Sequence, residues 1–385
     1  MFAERTRWNL ATNRLTLALA KYRDSGRALL DLSASNPTEC GFDYDQHALI
    51  RALCSPGMAA YHPDARGLKS ARAAVAGYYA QRGDQVSPEQ IILTTSTSEA
   101  YSFVFRLLCN PGDELLIPTP SYPLFDFLAD LQDVKLKRYS LLYDHGWQMD
   151  VHALEKAVTE RTRGIILVHP NNPTGHFTRT EELAALNRLC ATHHLALIAD
   201  EVFLDFAIRP EREFSFSSND EALTFTMSGL SKISGLPQMK FAWLITSGPP
   251  EQKKEALERL EVIADTYLSM NAPVQLAAPT FLNFRHSFQK QLVARVRKNL
   301  AELDRQLAAQ KHCQRLEIEG GWYAVLRVPA TQSDEDLAIG LLENEGVYVH
   351  PGHFYDFHQD GFLVISLITP ESDFAEGVLR ILRRW

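Results

Sequence analysis

Three short stretches carry residue types that can do chemistry. Lys232 lies in Ser228-Gly229-Leu230-Ser231-Lys232-Ile233-Ser234-Gly235, between an apolar run and a turn-rich segment, and Lys240 follows eight residues later. A lysine at a strand end, in a partly desolvated cleft, gives up its proton more readily and can attack a carbonyl. A solvated surface charge is the plain alternative for any one lysine. The apolar run 164–168 ends in His169-Pro170-Asn171-Asn172-Pro173-Thr174-Gly175. That is a tight turn at the sheet edge where open α/β sheets bind ligands, or simply a turn rich in turn formers. The run 196–199 ends in Asp200-Glu201-Val202-Phe203. Its acids either point into the same crevice or cap a helix.

In this order and spacing, the three stretches resemble the class I/II aminotransferases, fold-type-I enzymes that use pyridoxal 5'-phosphate. The resemblance covers nearly the whole chain. Thr95-Ser96-Thr97-Ser98-Glu99-Ala100 is similar to the family's phosphate loop, and Pro118-Thr119-Pro120-Ser121-Tyr122-Pro123 to the segment that presents an aromatic ring to the cofactor. Tyr61 with Gly67 resembles its Tyr-x5-Gly stretch, and Ser35-Asn36-Pro37 its early substrate-side segment. Gly320-Gly321-Trp322-Tyr323 and His350-Pro351-Gly352 resemble landmarks of the smaller domain.

The resemblance implies roles residue by residue. Lys232 would form the Schiff base with the cofactor and then move the proton between Cα and C4′. Asp200 would pair with the protonated pyridine nitrogen and keep the ring electron-poor. Asn172 would hydrogen-bond O3′, and Tyr122 would stack on the ring. Ser96, Thr97, Ser231 and Lys240 would surround the phosphate, helped by the N-terminus of a helix starting near Ser98. Tyr61 would reach the phosphate of a neighbouring subunit, which implies a homodimer with shared sites. The implied substrates are small amino and oxo acids.

Four departures from the family pattern matter. Lys240 stands where an arginine is usual, so the bidentate fork is absent. The phosphate loop reads Ser-Thr-Ser without its glycine. Phe203 stands where a tyrosine often donates to O3′, which leaves Asn172 as the main donor. Phe362-Leu363-Val364-Ile365-Ser366 carries valine where the family's substrate-carboxylate arginine is expected. Arg327, on the same strand face as Tyr323 and Val325, and Arg66, beside Gly67, are candidate replacements, with Asn36 nearby on the substrate side. Arg327 as a solvated surface residue is the alternative. The missing arginine also keeps a second activity open, a lyase that eliminates or cleaves on the same scaffold. A non-catalytic sensor is the third class, and the short segment 1–30 offers no appended DNA-binding module.

These residues need a scaffold. Short apolar runs at 91–94, 114–117, 134–137, 164–168, 196–199, 223–227 and 241–246 alternate with helical stretches. That pattern predicts an α/β domain with a seven-stranded, mostly parallel sheet flanked by helices. Long helical stretches at 251–268 and 274–310 follow, then strands at 322–328, 347–350 and 362–368 in a smaller α+β unit. A helix is predicted over 6–22. The expected division is a large cofactor-binding domain over 37–270 and a small domain built from 1–36 and 271–385.

Composition sets the outer limits. The 385 residues hold 39 Lys plus Arg and 47 Asp plus Glu, a net charge of −8. Such a balance gives no electrostatic reason to bind nucleic acid or an anionic membrane. Apolar content of 45% argues against a disordered chain. The start, Met1 to Leu10, lacks the layout of a secretory signal. Five scattered cysteines without a C-x-x-C pair fit reduced thiols and a cytoplasmic setting. No His, Cys or Asp grouping has metal-ligand spacing. His350, His353 and His358 fall near the predicted cleft, where they either touch substrate or face solvent.

Overall fold

The computed structural model describes residues 1–208 and 214–385. A two-residue strand, β1 (Leu30–Asp31), comes first. The large sheet then takes β2 (Ile91–Thr94), β3 (Glu114–Thr119), β4 (Lys135–Tyr143), β5 (Trp147–Met149), β6 (Thr162–Val168), β7 (Ala196–Asp200), β8 (Thr224–Gly229) and β9 (Ala242–Ser247). Their order across the sheet is β2-β9-β8-β7-β6-β3-β4-β5. Only β9 and β5 run against the rest.

Each of the seven expected strands is present, and the sheet has one more. Strand β5 pairs antiparallel with the end of β4, Leu141 opposite Met149 and Tyr143 opposite Trp147. Three residues are too few to display an alternation. The first helix is also shorter than predicted. It runs over Arg14–Asp24, because the Asn13 side chain accepts the Thr16 N–H and sets the start.

Strands β7 and β8 are buried along their whole length. A parallel sheet covered on both faces requires that, so these strands are continuous apolar runs. Every connection to the central strands must cross over, which brings the carboxyl ends of β2, β3, β6, β7 and β8 to one edge.

The smaller sheet has β10 (Gln314–Arg315), β11 (Tyr323–Arg327), β13 (His350–Pro351) and β14 (Phe362–Ser366), in the order β10-β11-β14-β13. The remaining short strand, β12 (Val347–Tyr348), pairs parallel with β1. That pairing attaches the N-terminal segment to the C-terminal unit, with Leu15, Tyr22 and Leu32 packed in the same core as Leu341 and Phe374. The 36-residue helix Ala272–Leu307, about 54 Å long at 1.5 Å per residue, belongs to both units. Val274, Ala277 and Phe281 pack with Leu93, Leu230 and Trp243. Leu292, Val296 and Leu303 pack with Val325, Leu363 and Phe374. The packing hand-over therefore lies inside this helix, beyond residue 271.

One turn locks the two units together. Gly175 has φ +71°, a conformation that L side chains rarely adopt, and its carbonyl accepts the Gly320 N–H at 3.0 Å. A Cβ at Gly175 would come within 2.5 Å of the Gly320 oxygen and 2.7 Å of Ile318. Gly175→Ala is expected to cost roughly 2 kcal/mol of stability. A urea midpoint equal to wild type would show that this contact gives way.

Candidate active site

A cavity of about 330 Å³ opens where the carboxyl ends of the parallel strands meet the smaller unit. Residues just past five strand ends reach its wall: Ser96 after β2, Tyr122 after β3, Asn172 after β6, Asp200 closing β7, and Ser231 and Lys232 after β8. Ala242, at the start of the reversed strand β9, completes that side. Position at a strand end explains the arrangement, since each side chain leaves the sheet where the backbone turns away.

Lys232 and Asp200 occupy the inner wall. The Lys232 ammonium lies 4.9 Å from the centre of the Trp322 ring and 5.8 Å from that of Phe203. Burial pulls its pKa down to about 8, and the charge of Asp200 only partly opposes the shift. Asp200 moves the other way. Burial pushes its pKa up to about 6, against the Val202 N–H at 3.1 Å, the Tyr101 hydroxyl at 3.2 Å and the charge of Lys232. Both groups are thus drawn toward their neutral forms by desolvation.

The two adjacent asparagines have different work. Asn171 donates to the Pro120 carbonyl at 3.0 Å and to the Thr174 hydroxyl at 2.9 Å, so it is spent on holding the turn. The neighbouring Asn172 lines the cavity, and its buried Oδ1 has no hydrogen-bond partner. The Asn171 Oδ1 is likewise buried without a partner, so what separates the two is that Asn172 alone reaches the cavity. At the far end, Ser96 caps the helix Thr97–Leu108 by accepting the Glu99 N–H at 3.2 Å. Ser96, Thr97 and Ser98 line the cavity there, so the positive end of a three-turn helix faces it. The helix begins at Thr97, one residue before the expected start.

Five sequence candidates stand elsewhere. Lys240 is exposed, outside the lining, in a left-handed conformation at φ 50°. Tyr61 is 78% exposed and lines a separate hollow of about 250 Å³ with His62, Asp64 and Met270. The Asn36 side chain accepts the Thr38 N–H and hydroxyl, and its neighbour Ser35 lines the cavity instead. Arg66 is committed to Glu261, with Nε and Nη2 at 2.9 and 2.6 Å from one carboxylate oxygen. Arg327 is exposed, its guanidinium stacked on the Phe362 ring. Neither arginine replaces the one missing at Val364 in this arrangement: the first is held by an ion pair, and the second lies at the wrong end of its strand.

Other residues join the wall, of which Tyr101 was not singled out from the sequence, whereas His350 was placed near the cleft. Tyr101 follows Thr97 by one helical turn, a spacing that puts both on one face. His350, Tyr323, Phe354 and Tyr355 come from the smaller unit. His353 and His358 are exposed.

Holding an ammonium in this wall has a cost with a definite pH dependence. Below pH about 8 the folded protein buries the charge and bears the full penalty; as pH rises from about 8 toward the ordinary 10.5, the penalty disappears. Cofactor-free Lys232→Met is therefore expected to be more stable than wild type at pH 7, by about 1–2 kcal/mol. The gap should narrow toward pH 10. Urea denaturation at both pH values checks this; a gap independent of pH would assign it to packing alone.

A family model described as aminotransferase class I and II matches residues 30–381. The chain is 31% identical over 264 residues to the glutamate-pyruvate aminotransferase AlaA of Escherichia coli strain K12, covering 68% of this chain and 65% of that protein. The match thus spans just under two thirds of that relative's length. The alanine aminotransferase of Mycobacterium tuberculosis strain H37Rv is 27% identical over 373 residues, 94% of this chain and 86% of its own. The fold superposes on an alanine aminotransferase from Pyrococcus furiosus with a TM-score of 0.88 at 22% identity, over 100% of this chain and 99% of that one. With the fold and the family model in agreement over nearly its whole length, the chain belongs to the class I and II aminotransferases.

Proposed function

We propose that this protein is a pyridoxal-phosphate-dependent aminotransferase that moves an amino group from an amino acid or amine to an oxo acid. The carrying observation is the convergence of Lys232, Asp200 and Asn172 on one cavity. Amino transfer is favoured over elimination because the similar curated proteins are named as aminotransferases of alanine, glutamate and tyrosine.

The residues present fit such a cofactor. The Asn172 side-chain N–H, on the cavity wall, suits donation to a phenolic oxygen, and Asp200, kept in place by Val202 and Tyr101, suits a protonated ring nitrogen. The Ser96, Thr97 and Ser231 hydroxyls with the helix N-terminus suit a phosphate. Tyr122 offers a ring face. When bound, pyridoxal phosphate draws electrons away from the bonds at the substrate's Cα. Lys232 holds and moves the proton at that carbon. An amine with a pKa near 8 can both accept and return a proton close to neutral pH. The aromatic wall of Trp322 and Phe203 keeps water from its ammonium.

Tyr61 is exposed and outside its own chain's cavity, which suits a homodimer in which it reaches the neighbouring site. Among the described residues no helix is long and apolar enough to cross a membrane. A cytoplasmic enzyme acting on small amino and oxo acids is the setting we favour.

Purified protein mixed with pyridoxal phosphate should acquire the absorbance of the bound cofactor. It should transfer nitrogen from L-alanine or L-glutamate to an added oxo acid. Lys232→Ala should lower turnover by roughly a thousandfold. Oxo acid released steadily without an amino acceptor would replace this reading with the lyase, and no cofactor uptake would end it.

A further inference from the structure

The cavity has a second pole, built by the smaller sheet. Val364 is 1% exposed in β14, and its cross-strand partner on β13 is His350. Directly opposed residues of an antiparallel pair put their side chains on the same face, about 5 Å apart. Of the two, only His350 reaches the cavity wall. The imidazole therefore projects beside the point from which a longer side chain at 364 would start.

Its orientation is fixed. Nδ1 lies 3.0 Å from the Tyr355 hydroxyl, and the ring packs against Phe354 and Tyr348. When Tyr355 donates to Nδ1, the hydrogen of the neutral ring sits on Nε2. Among the described residues Nε2 has no hydrogen-bond partner, so it is free to donate to a ligand. Tyr323 and Ser35 share this wall. No arginine lies among the described residues of the lining.

We propose that His350 is the residue that recognises the substrate carboxylate, through Nε2, in place of the guanidinium absent at Val364. Tyr323 and Ser35 supply the neighbouring hydroxyls. This rests on the aminotransferase reading above. A single N–H donor has neither the fork nor the permanent charge of arginine, so carboxylate binding here is weaker and monodentate.

The test uses the holoenzyme and two donors, L-alanine and its carboxamide L-alaninamide, which differ only at the carboxylate. Each half-reaction is followed by cofactor absorbance. His350→Gln is expected to raise the concentration of L-alanine needed for half-maximal rate by about tenfold, with a smaller change in the maximal rate. The value for L-alaninamide should stay within about twofold. His350→Arg, which restores a charge at the same spot, should hold L-alanine at least as tightly as wild type. Equal changes for both donors would assign His350 to positioning or folding and overturn the proposal, as would no change for either. If wild type converts neither these donors nor any other amino donor, the underlying aminotransferase reading fails, and this inference with it.

Discussion

The arrangement turns on one electrostatic constraint, an ammonium and a carboxylate held away from water at the ends of neighbouring parallel strands. Desolvation penalises both, and their mutual attraction does not fully offset it, since Lys232 still falls to about 8 and Asp200 still rises to about 6. Burying such a pair works against folding. The pair persists because the flanking cores are large and the strands beneath it are buried on both faces. A ligand carrying a ring cation for Asp200 and a carbonyl for Lys232 would satisfy both groups at once, so binding and relief of the penalty are linked.

The same constraint explains which residues could be read from the chain. Lys232, Asp200 and Asn172 each lie within four residues of a buried strand end. A strand of a doubly covered parallel sheet is a continuous apolar run, so its end is visible in one dimension. Tyr101 carries no such mark, and His350, at the end of the predicted run 347–350, is placed near the cleft without a role. The first reaches the cavity through helical periodicity, and the second through the pairing of β13 with β14. Register between strands some fourteen residues apart in sequence is a property of the folded sheet.

Arg327 shows the limit of alternation as an argument. Alternation assigns it the same face as Tyr323, which does line the cavity. The two are four residues apart, however, and at about 3.3 Å per residue that is roughly 13 Å along the strand. Period-two reasoning selects a face and says nothing about which end of the strand a site occupies. Arg66 illustrates a different gap. Its neighbour Gly67 is tied to the packing of Leu93, while its guanidinium is spent on Glu261, a partner 195 residues away. The three-residue strand β5 was invisible for a simpler reason, its length.

The two poles of the cavity are held at a set separation by backbone, and this makes the division of labour between them possible. Ser121 donates its N–H to the Tyr355 carbonyl at 2.9 Å, and the Thr119 hydroxyl donates to the Asp356 carbonyl at 2.8 Å. The strand end that presents Tyr122 is thereby stitched to the segment that carries Phe354 and Tyr355. On the opposite side, the turn that carries Asn172 is fixed to Gly320, next to the stretch holding Trp322 and Tyr323. On the proposed reading, cofactor-side residues come from the large sheet and substrate-side residues from the smaller unit, and both joints lie within three residues of the groups they position. Side chains on the small sheet can therefore be exchanged, arginine for valine and histidine among them, without moving Lys232, Asp200 or Asn172. Lys232 and Asp200 are set by the strand ends of the large sheet, which the small-sheet side chains do not touch in sequence.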